Sequence, residues 1–129
     1  MLVLLDTSVA IPLRDGDERT IERLASLDAV RLISVLTRVE LEGGIHRDKE
    51  EAPELRLRVN LLLQEVEELP FTSAEAVAYG RIVEALGFSR PRVIDRMIAA
   101  TALCAQVPLI TSNPRDFRDI PNLRIEDWS

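Results

Sequence analysis

The sequence predicts a three-layer α/β/α domain around a short, mainly parallel central sheet, and two features carry that prediction. Strand-like and helix-like segments alternate along the whole chain, the pattern of α/β folds. The chain also opens on Met1-Leu2-Val3-Leu4-Leu5, an unbroken apolar run closed by the polar cluster Asp6-Thr7-Ser8. Runs this short and this apolar belong to strands buried on both faces, as in parallel sheets. The 129 residues read as one domain, residues 1–129, long enough for a real core. Apolar residues make up 47% and charged ones 29%, an ordinary soluble balance. No apolar run approaches the ~20 residues that span a bilayer, and no basic segment precedes the first one. A cytoplasmic protein without membrane association is expected.

Taken in order, residues 7–13 form a short apolar segment that Pro12 and Arg14-Asp15-Gly16-Asp17 bring to an end. Asp17-Glu18 then open a helix with Ile21, Leu24 and Ala25 as its apolar stripe. Residues 30–34 are a second strand, and 34–47 a helix with Val35, Val39 and Ile45 among its apolar positions. A long helix runs from Ala52-Pro53 to near Glu68, with Leu55, Val59, Leu62, Leu63 and Val66 on one side. Leu57 and Leu61 widen that stripe into a face fit for a core or for a partner. Leu69-Pro70-Phe71 is a connector or strand edge. Thr72-Ser73-Ala74-Glu75 has the form of a capping box, with Ala74, Val77, Ala78, Ile82 and Ala85 as the buried face behind it. Gly87 closes that helix, and Ser89-Arg90-Pro91-Arg92 makes a basic loop. Residues 94–106 are apolar in nearly every direction, so this helix is buried, its alanines admitting a sheet at close range. Residues 108–111 are a strand, Asn113-Pro114 has the form of an N-cap followed by a first-turn proline, Phe117 is an anchor, and 123–125 form a last short strand.

Several chemistries are excluded by residue count. Cys104 is the only cysteine, so neither an intrachain disulfide nor a cysteine zinc site is available. His46 is the only histidine, which leaves Ser-His-Asp catalysis to that one residue. Of 16 basic residues only Lys49 is a lysine, and the five glycines match no phosphate-binding loop. The net charge of −6 argues against a general electrostatic nucleic-acid binder while leaving room for local, metal-assisted contacts.

The acids are then the candidate chemistry. Asp6 stands at the carboxyl end of the first strand, where open α/β sheets place ligands, but an aspartate there is equally a helix N-cap. Glu40 lies in the helix 34–47; Glu42 projects about 200° away from it, so the two cannot share a face. Asp95 is the one charge on its side of the buried helix, and a buried carboxylate is costly unless bonded, paired or bound to metal; capping by Asp95 is the other reading. Asp116 follows the strand 108–111, again at a carboxyl strand end, where it would also suit a first helical turn.

Asp6-Thr7-Ser8 after an apolar strand, Ser34-x-x-Thr37-x-x-Glu40-Leu41-x-x-Gly44, Asp95-x-x-Ile98-Ala99-Ala100 and Thr111-x-Asn113-x-x-Asp116-Phe117, in this order, resemble the PIN domain. Within it the likeness is greatest to VapC toxins of toxin–antitoxin pairs, and it runs from Leu2 to about Ile125. The resemblance implies a magnesium-dependent ribonuclease, with manganese as an alternative ion, whose acidic core is Asp6, Glu40 and Asp95, Asp6 and Asp95 holding the metal. The family's fourth acid falls at the position of Asn113 in many members and of Asp116 in others; this chain has an amide at the first and an acid at the second. Thr7 matches a supporting hydroxyl position. It further implies an RNA substrate, a small cognate antitoxin inserting a basic side chain among the acids, and a homodimer, for which the leucine-rich helix 53–68 is a candidate surface.

Clustered carboxylates suit such an ion, because magnesium takes one or two carboxylates and completes its shell with water and phosphate oxygen. Arg90, Arg92 and Arg96 flank Asp95 and are candidates for phosphate contact, or for surface charge and internal pairing. Two other α/β classes fit less well. A haloacid-dehalogenase-type phosphatase wants an acid where Ser8 stands, and a receiver domain wants a lysine near the last strands, far from Lys49. The non-enzymatic alternative is a degenerate PIN fold that only binds RNA or protein.

Overall fold

The computed structural model describes all residues, Met1–Ser129. Five strands form one sheet in the order β3-β2-β1-β4-β5, and every neighbouring pair is parallel. The strands are β1 (Leu2–Leu5), β2 (Val30–Ser34), β3 (Glu67–Leu69), β4 (Leu109–Thr111) and β5 (Ile125–Asp127). Six helices cover the sheet: α1 (Thr7–Arg14), α2 (Glu18–Ala25), α3 (Val35–Ile45), α4 (Ala52–Glu65), α5 (Ser73–Leu86) and α6 (Val93–Ala105).

Alternation along the strands splits the core in two. Val3 and Leu5 of β1, Ile33 of β2 and Ile110 of β4 pack with Val9, Leu24, Leu41, Val59 and Leu62 on one face. Leu4, Leu32 and Leu109 point the other way, against Ile82, Ile98, Ala99 and Phe117. This is the three-layer arrangement that the apolar first strand predicts. Small residues Ala99, Ala100 and Ala102 are essentially fully buried, so α6 lies close to the sheet as expected.

Strand order fixes where a ligand can bind. From β1 the chain moves outward to β2 and β3, then returns to place β4 on the other flank of β1. The crevice beyond the carboxyl ends of β1 and β4 is thus the topological switch point.

Several local expectations need correction. Residues 7–14 are a helix despite Pro12, which forfeits only the bond to the Ser8 carbonyl near the end of a two-turn helix. The long helix stops at Glu65, and Glu67–Leu69 pairs with β2 as an edge strand. Two glutamates in three residues hide that strand from an apolar pattern while suiting an exposed edge. The last strand begins at Ile125, two residues later than expected. Of the stripe on α2 only Leu24 is buried; on α3, Val39 is exposed; on α5, Ala74, Val77 and Ala85 are exposed and Ile82 carries the packing. Leu57 and Leu61 on α4 also face outward, so its wide apolar face is only partly core. The capping box at Thr72 and Glu75 is present in full, and Gly87 closes α5 at φ 85°, a conformation glycine adopts without strain.

Candidate active site

Asp6 occupies the N-cap position of α1, yet its side chain makes no capping bond. The backbone does that work, since the Asp6 carbonyl accepts from Val9 and Ala10. The carboxylate is 4% exposed, and its Oδ2 accepts from Ser8 Oγ at 2.7 Å and Thr111 Oγ1 at 2.8 Å. No hydrogen bond reaches Oδ1, and no side-chain oxygen in the molecule is both buried and unpartnered, so Oδ1 stays open to the crevice. Ser8 Oγ in turn accepts from the Ser112 amide at 3.0 Å, tying α1 to the end of β4.

Glu40 approaches from α3. Thr7 Oγ1 donates to Glu40 Oε1 at 2.6 Å and lies 2.9 Å from Thr37 Oγ1. Thr37 is fully buried one turn before Glu40, so the two share a face while Glu42 turns away to ion pairs with Arg56 and Arg38. The divergence of Glu40 and Glu42 follows from helical geometry as expected.

Asp95 is in the first turn of α6, and the N-cap there is Arg92, without a side-chain cap bond. The capping reading of Asp95 therefore fails, and its carboxylate has no hydrogen-bond partner. Burial pushes the Asp95 pKa up from 3.8 to about 6, helped by the charges of Asp6, Asp116 and Glu40, with Arg92 opposing. The charges of acids from three other stretches of chain thus reach Asp95. Asp116 ends the 3-10 turn Pro114–Asp116 and pairs with Arg92 at 3.3 Å.

Two expectations change. Asn113 takes the N-cap position of that turn with Pro114 after it, as expected, but makes no side-chain cap bond; its backbone N–H donates to Thr111 Oγ1 at 3.0 Å. Arg96 is not a surface cation: it is 6% exposed and donates to the Gly87 carbonyl at 2.6 Å, which leaves Arg90 and Arg92 nearest the acids in sequence. Sequence reasoning gave no role to the hydroxyls of Ser8, Thr37 and Thr111. The available signal was their position, small polar groups at the ends of strands too buried to leave them unbonded.

No three acidic, histidine or cysteine side chains gather tightly enough to enclose an ion by themselves. The donor set still fits a hard cation of magnesium's habit, which uses one or two carboxylates and takes its other oxygens from water and phosphate.

A PIN-domain family model matches residues 3–123. The chain belongs to the PIN-domain family. It is similar along 97% of its length to Ribonuclease VapC of Rickettsia bellii, at 33% identity and 95% coverage of that protein. The tRNA(fMet)-specific endonuclease VapC of Salmonella typhimurium is also 33% identical, with 97% of this chain and 96% of that protein covered. Among solved structures, DNA-bound VapBC from Salmonella typhimurium superimposes with a TM-score of 0.87 at 29% identity, covering 100% of both chains. The chain is therefore a PIN domain of the VapC kind, and the strand order that sets Asp6 at the switch point belongs to a shared fold.

Proposed function

We propose that this protein is a VapC-type endoribonuclease, the toxin of a toxin–antitoxin pair, and that it cuts RNA phosphodiesters with divalent-cation help at Asp6 and Asp95. One observation carries the site assignment: Asp95 is uncapped, unbonded and pushed toward a pKa of about 6 by burial and by Asp6, Asp116 and Glu40. Structural acids are paired or bonded; an unrelieved cluster in a crevice at a switch point is the mark of a functional site.

In this reading Asp6 and Asp95 hold magnesium, or manganese in its place, and Glu40 and Asp116 complete the catalytic acids. When bound, the ion supplies neutralisation of the scissile phosphate and a lowered pKa for water at the site. The protein's own part is placement. Ser8 and Thr111 orient the Asp6 carboxylate so that Oδ1 faces outward, and Thr7, held by Thr37, fixes Glu40. Arg92 and Asn113 border the crevice as supporting contacts for RNA. An acidic crevice of this kind also suits the inserted arginine fork of a small cognate antitoxin. A homodimer is part of the proposal, with the outward-facing leucines of α4 as a candidate surface, as is residence in the cytoplasm with the RNA; no helix is long and apolar enough to cross a membrane.

The test is cleavage of structured RNA by purified protein, with and without magnesium. Magnesium-dependent cleavage lost on chelation is the expected result. Retained RNA binding with no cleavage under any divalent ion would instead establish the non-catalytic binding module.

A further inference from the structure

A cleft of about 230 Å³ opens between α1, the start of α2 and the chain just beyond β5, linked to Asp6 through Ser112 and Ser8. We propose that it is a nucleobase subsite, which takes an RNA base carrying an exocyclic amine and stacks it on the guanidinium of Arg23. The inference deepens the ribonuclease reading and rests on it.

The first observation is a stacking platform. The Arg23 guanidinium lies over the Trp128 ring, 4.3 Å from its centroid, and Trp128 is anchored against the core. Its backbone N–H donates to the Thr111 carbonyl at 2.8 Å. Single-stranded RNA is gripped through bases stacked on aromatic rings or on arginine planes. A base laid on Arg23 continues a stack that the fold has already begun.

The second is polar chemistry on the same walls. Asp17 Oδ2 accepts from the Thr20 amide at 3.0 Å and its hydroxyl at 2.8 Å, so the carboxylate is held while Oδ1 stays free to accept from an amine. Uracil offers no amine, whereas adenine, cytosine and guanine do. Arg19 and Arg23 both line the cleft without a carboxylate at ion-pair distance, although Asp17 feels the charge of Arg19 and Asp127 that of Arg23. Their guanidinium donors are thus available to the flanking phosphates.

The third is position. Ser112 lines the cleft, its amide donates to Ser8 Oγ at 3.0 Å, and Ser8 donates to Asp6 Oδ2 at 2.7 Å. Two hydrogen bonds separate the cleft wall from the carboxylate. The volume is below the ~300–1,000 Å³ of drug-sized pockets, as suits one planar base.

Trp128 is the only tryptophan, so its fluorescence reports on this cleft directly. The experiment titrates short oligoadenylate, oligocytidylate and oligouridylate into the full chain with chelator present, so that neither ion nor cleavage is needed. Expected is saturable quenching by the first two and binding of oligouridylate weaker by roughly tenfold or more, the range that one amine hydrogen bond to a carboxylate commands. Arg23→Ala should abolish the saturable component and, in cleavage assays, raise KM by a similar factor with kcat nearly unchanged. Arg23→Lys keeps the charge but loses the plane, and should follow Arg23→Ala. Equal quenching by all three oligonucleotides, or wild-type binding by Arg23→Lys, would reduce the cleft to a patch of charge and overturn the subsite. So would normal cleavage with no quenching, which leaves the ribonuclease reading intact. Saturable quenching without any cleavage would keep the subsite and remove the ribonuclease.

Discussion

Asp6 follows a central strand with one carboxylate oxygen tied by two hydroxyls, while Asp95 stands in the first turn of a helix with a carboxylate that accepts no hydrogen bond. Both reach the crevice, but one is held by geometry and the other is held against electrostatics. Two hydroxyl donors fix the direction of the Asp6 carboxylate without cancelling its charge. That charge, with those of Asp116 and Glu40, then falls on Asp95, which pairs with no donor. The difference teaches how a fold can treat neighbouring acids unequally: one is oriented in advance by hydroxyls, and the other carries the repulsion of the group, which in the proposed reading a cation would relieve.

The largest break of this comparison comes from removing either charge. Asp6→Asn and Asp95→Asn should each lower RNA cleavage on the order of a thousandfold, the scale on which preorganised charge-stabilising groups count. Their stabilities should part company. Asp6→Asn disturbs the Ser8 and Thr111 hydroxyls and should follow the usual destabilising trend of ~1 kcal/mol. Asp95→Asn removes a repelled charge and should leave metal-free stability unchanged or higher. Chemical denaturation measures this, and equal losses in the two variants would erase the distinction. Wild-type cleavage by either would remove that acid from the site.

Next in size is the response to pH and metal. The native Asp95 carboxyl keeps its proton up to about 6, whereas an unfolded chain releases it near 3.8. Through that window the native state binds more protons than the unfolded one, so the contribution of Asp95 to metal-free stability falls as pH rises and stays low above it. Melting curves of wild type minus those of Asp95→Asn should show this decline. At neutral pH magnesium or manganese should raise the wild-type Tm, because a ligand of the native state alone stabilises it by mass action. The shift should shrink or vanish in Asp95→Asn. An equal shift in both would place the ion elsewhere.

The same contrast explains what was legible in the sequence. Asp6 was readable because an apolar run must leave the sheet somewhere, and a parallel sheet makes that end a binding edge. The parallel sheet and the two-sided core followed from the same run, whereas the order of its strands did not. What Asp6 touches was not readable: Thr111 is 105 residues away, and only the pairing of β4 beside β1 brings their side chains to 2.8 Å. Asp95 could be singled out as a charge on an apolar helix, but its freedom from capping depends on a loop geometry that periodicity does not encode. Arg96 is the mirror case. A charge next to Asp95 suited a phosphate ligand or an internal contact, and its guanidinium turns inward to close the α5–α6 connection. Periodicity likewise overcounted buried residues on α2, α3 and α5, since it marks an apolar face without saying whether the sheet reaches it. The edge strand expected at residues 69–71 falls instead at 67–69, because two glutamates and a leucine carry no apolar signal.

A smaller effect sharpens the geometric half of the comparison. Thr37 is fully buried and touches Thr7, which holds Glu40. Thr37→Val keeps the shape and branching but deletes the hydroxyl, and should cost about 1 kcal/mol of stability, the usual worth of one such bond. Cleavage should fall several-fold through kcat with KM little changed, because Glu40 remains present but less well placed. If cleavage is untouched while stability falls, Thr37 serves the core and not the placement of Glu40.

The smallest expected effect concerns Arg92, the one cation that acts on Asp95 and the partner of Asp116 at 3.3 Å. Both members of that pair are well exposed, so its loss in Arg92→Ala should change stability by no more than ~1 kcal/mol. The consequence for Asp95 is specific: without the opposing positive charge its pKa should rise further, and the pH at which cleavage falls off should move upward. Asp95→Asn cannot show such a movement, so the pH profile isolates the influence of Arg92 on this acid from any general loss of activity. If Arg92 also contacts the RNA backbone, binding should weaken alike for all sequences, and the slope of log affinity against log salt should decrease by about 1. The two effects separate cleanly. A shifted pH profile with an unchanged salt slope would confine Arg92 to tuning the acids, and a changed slope with an unmoved profile would make it a phosphate ligand that leaves Asp95 alone.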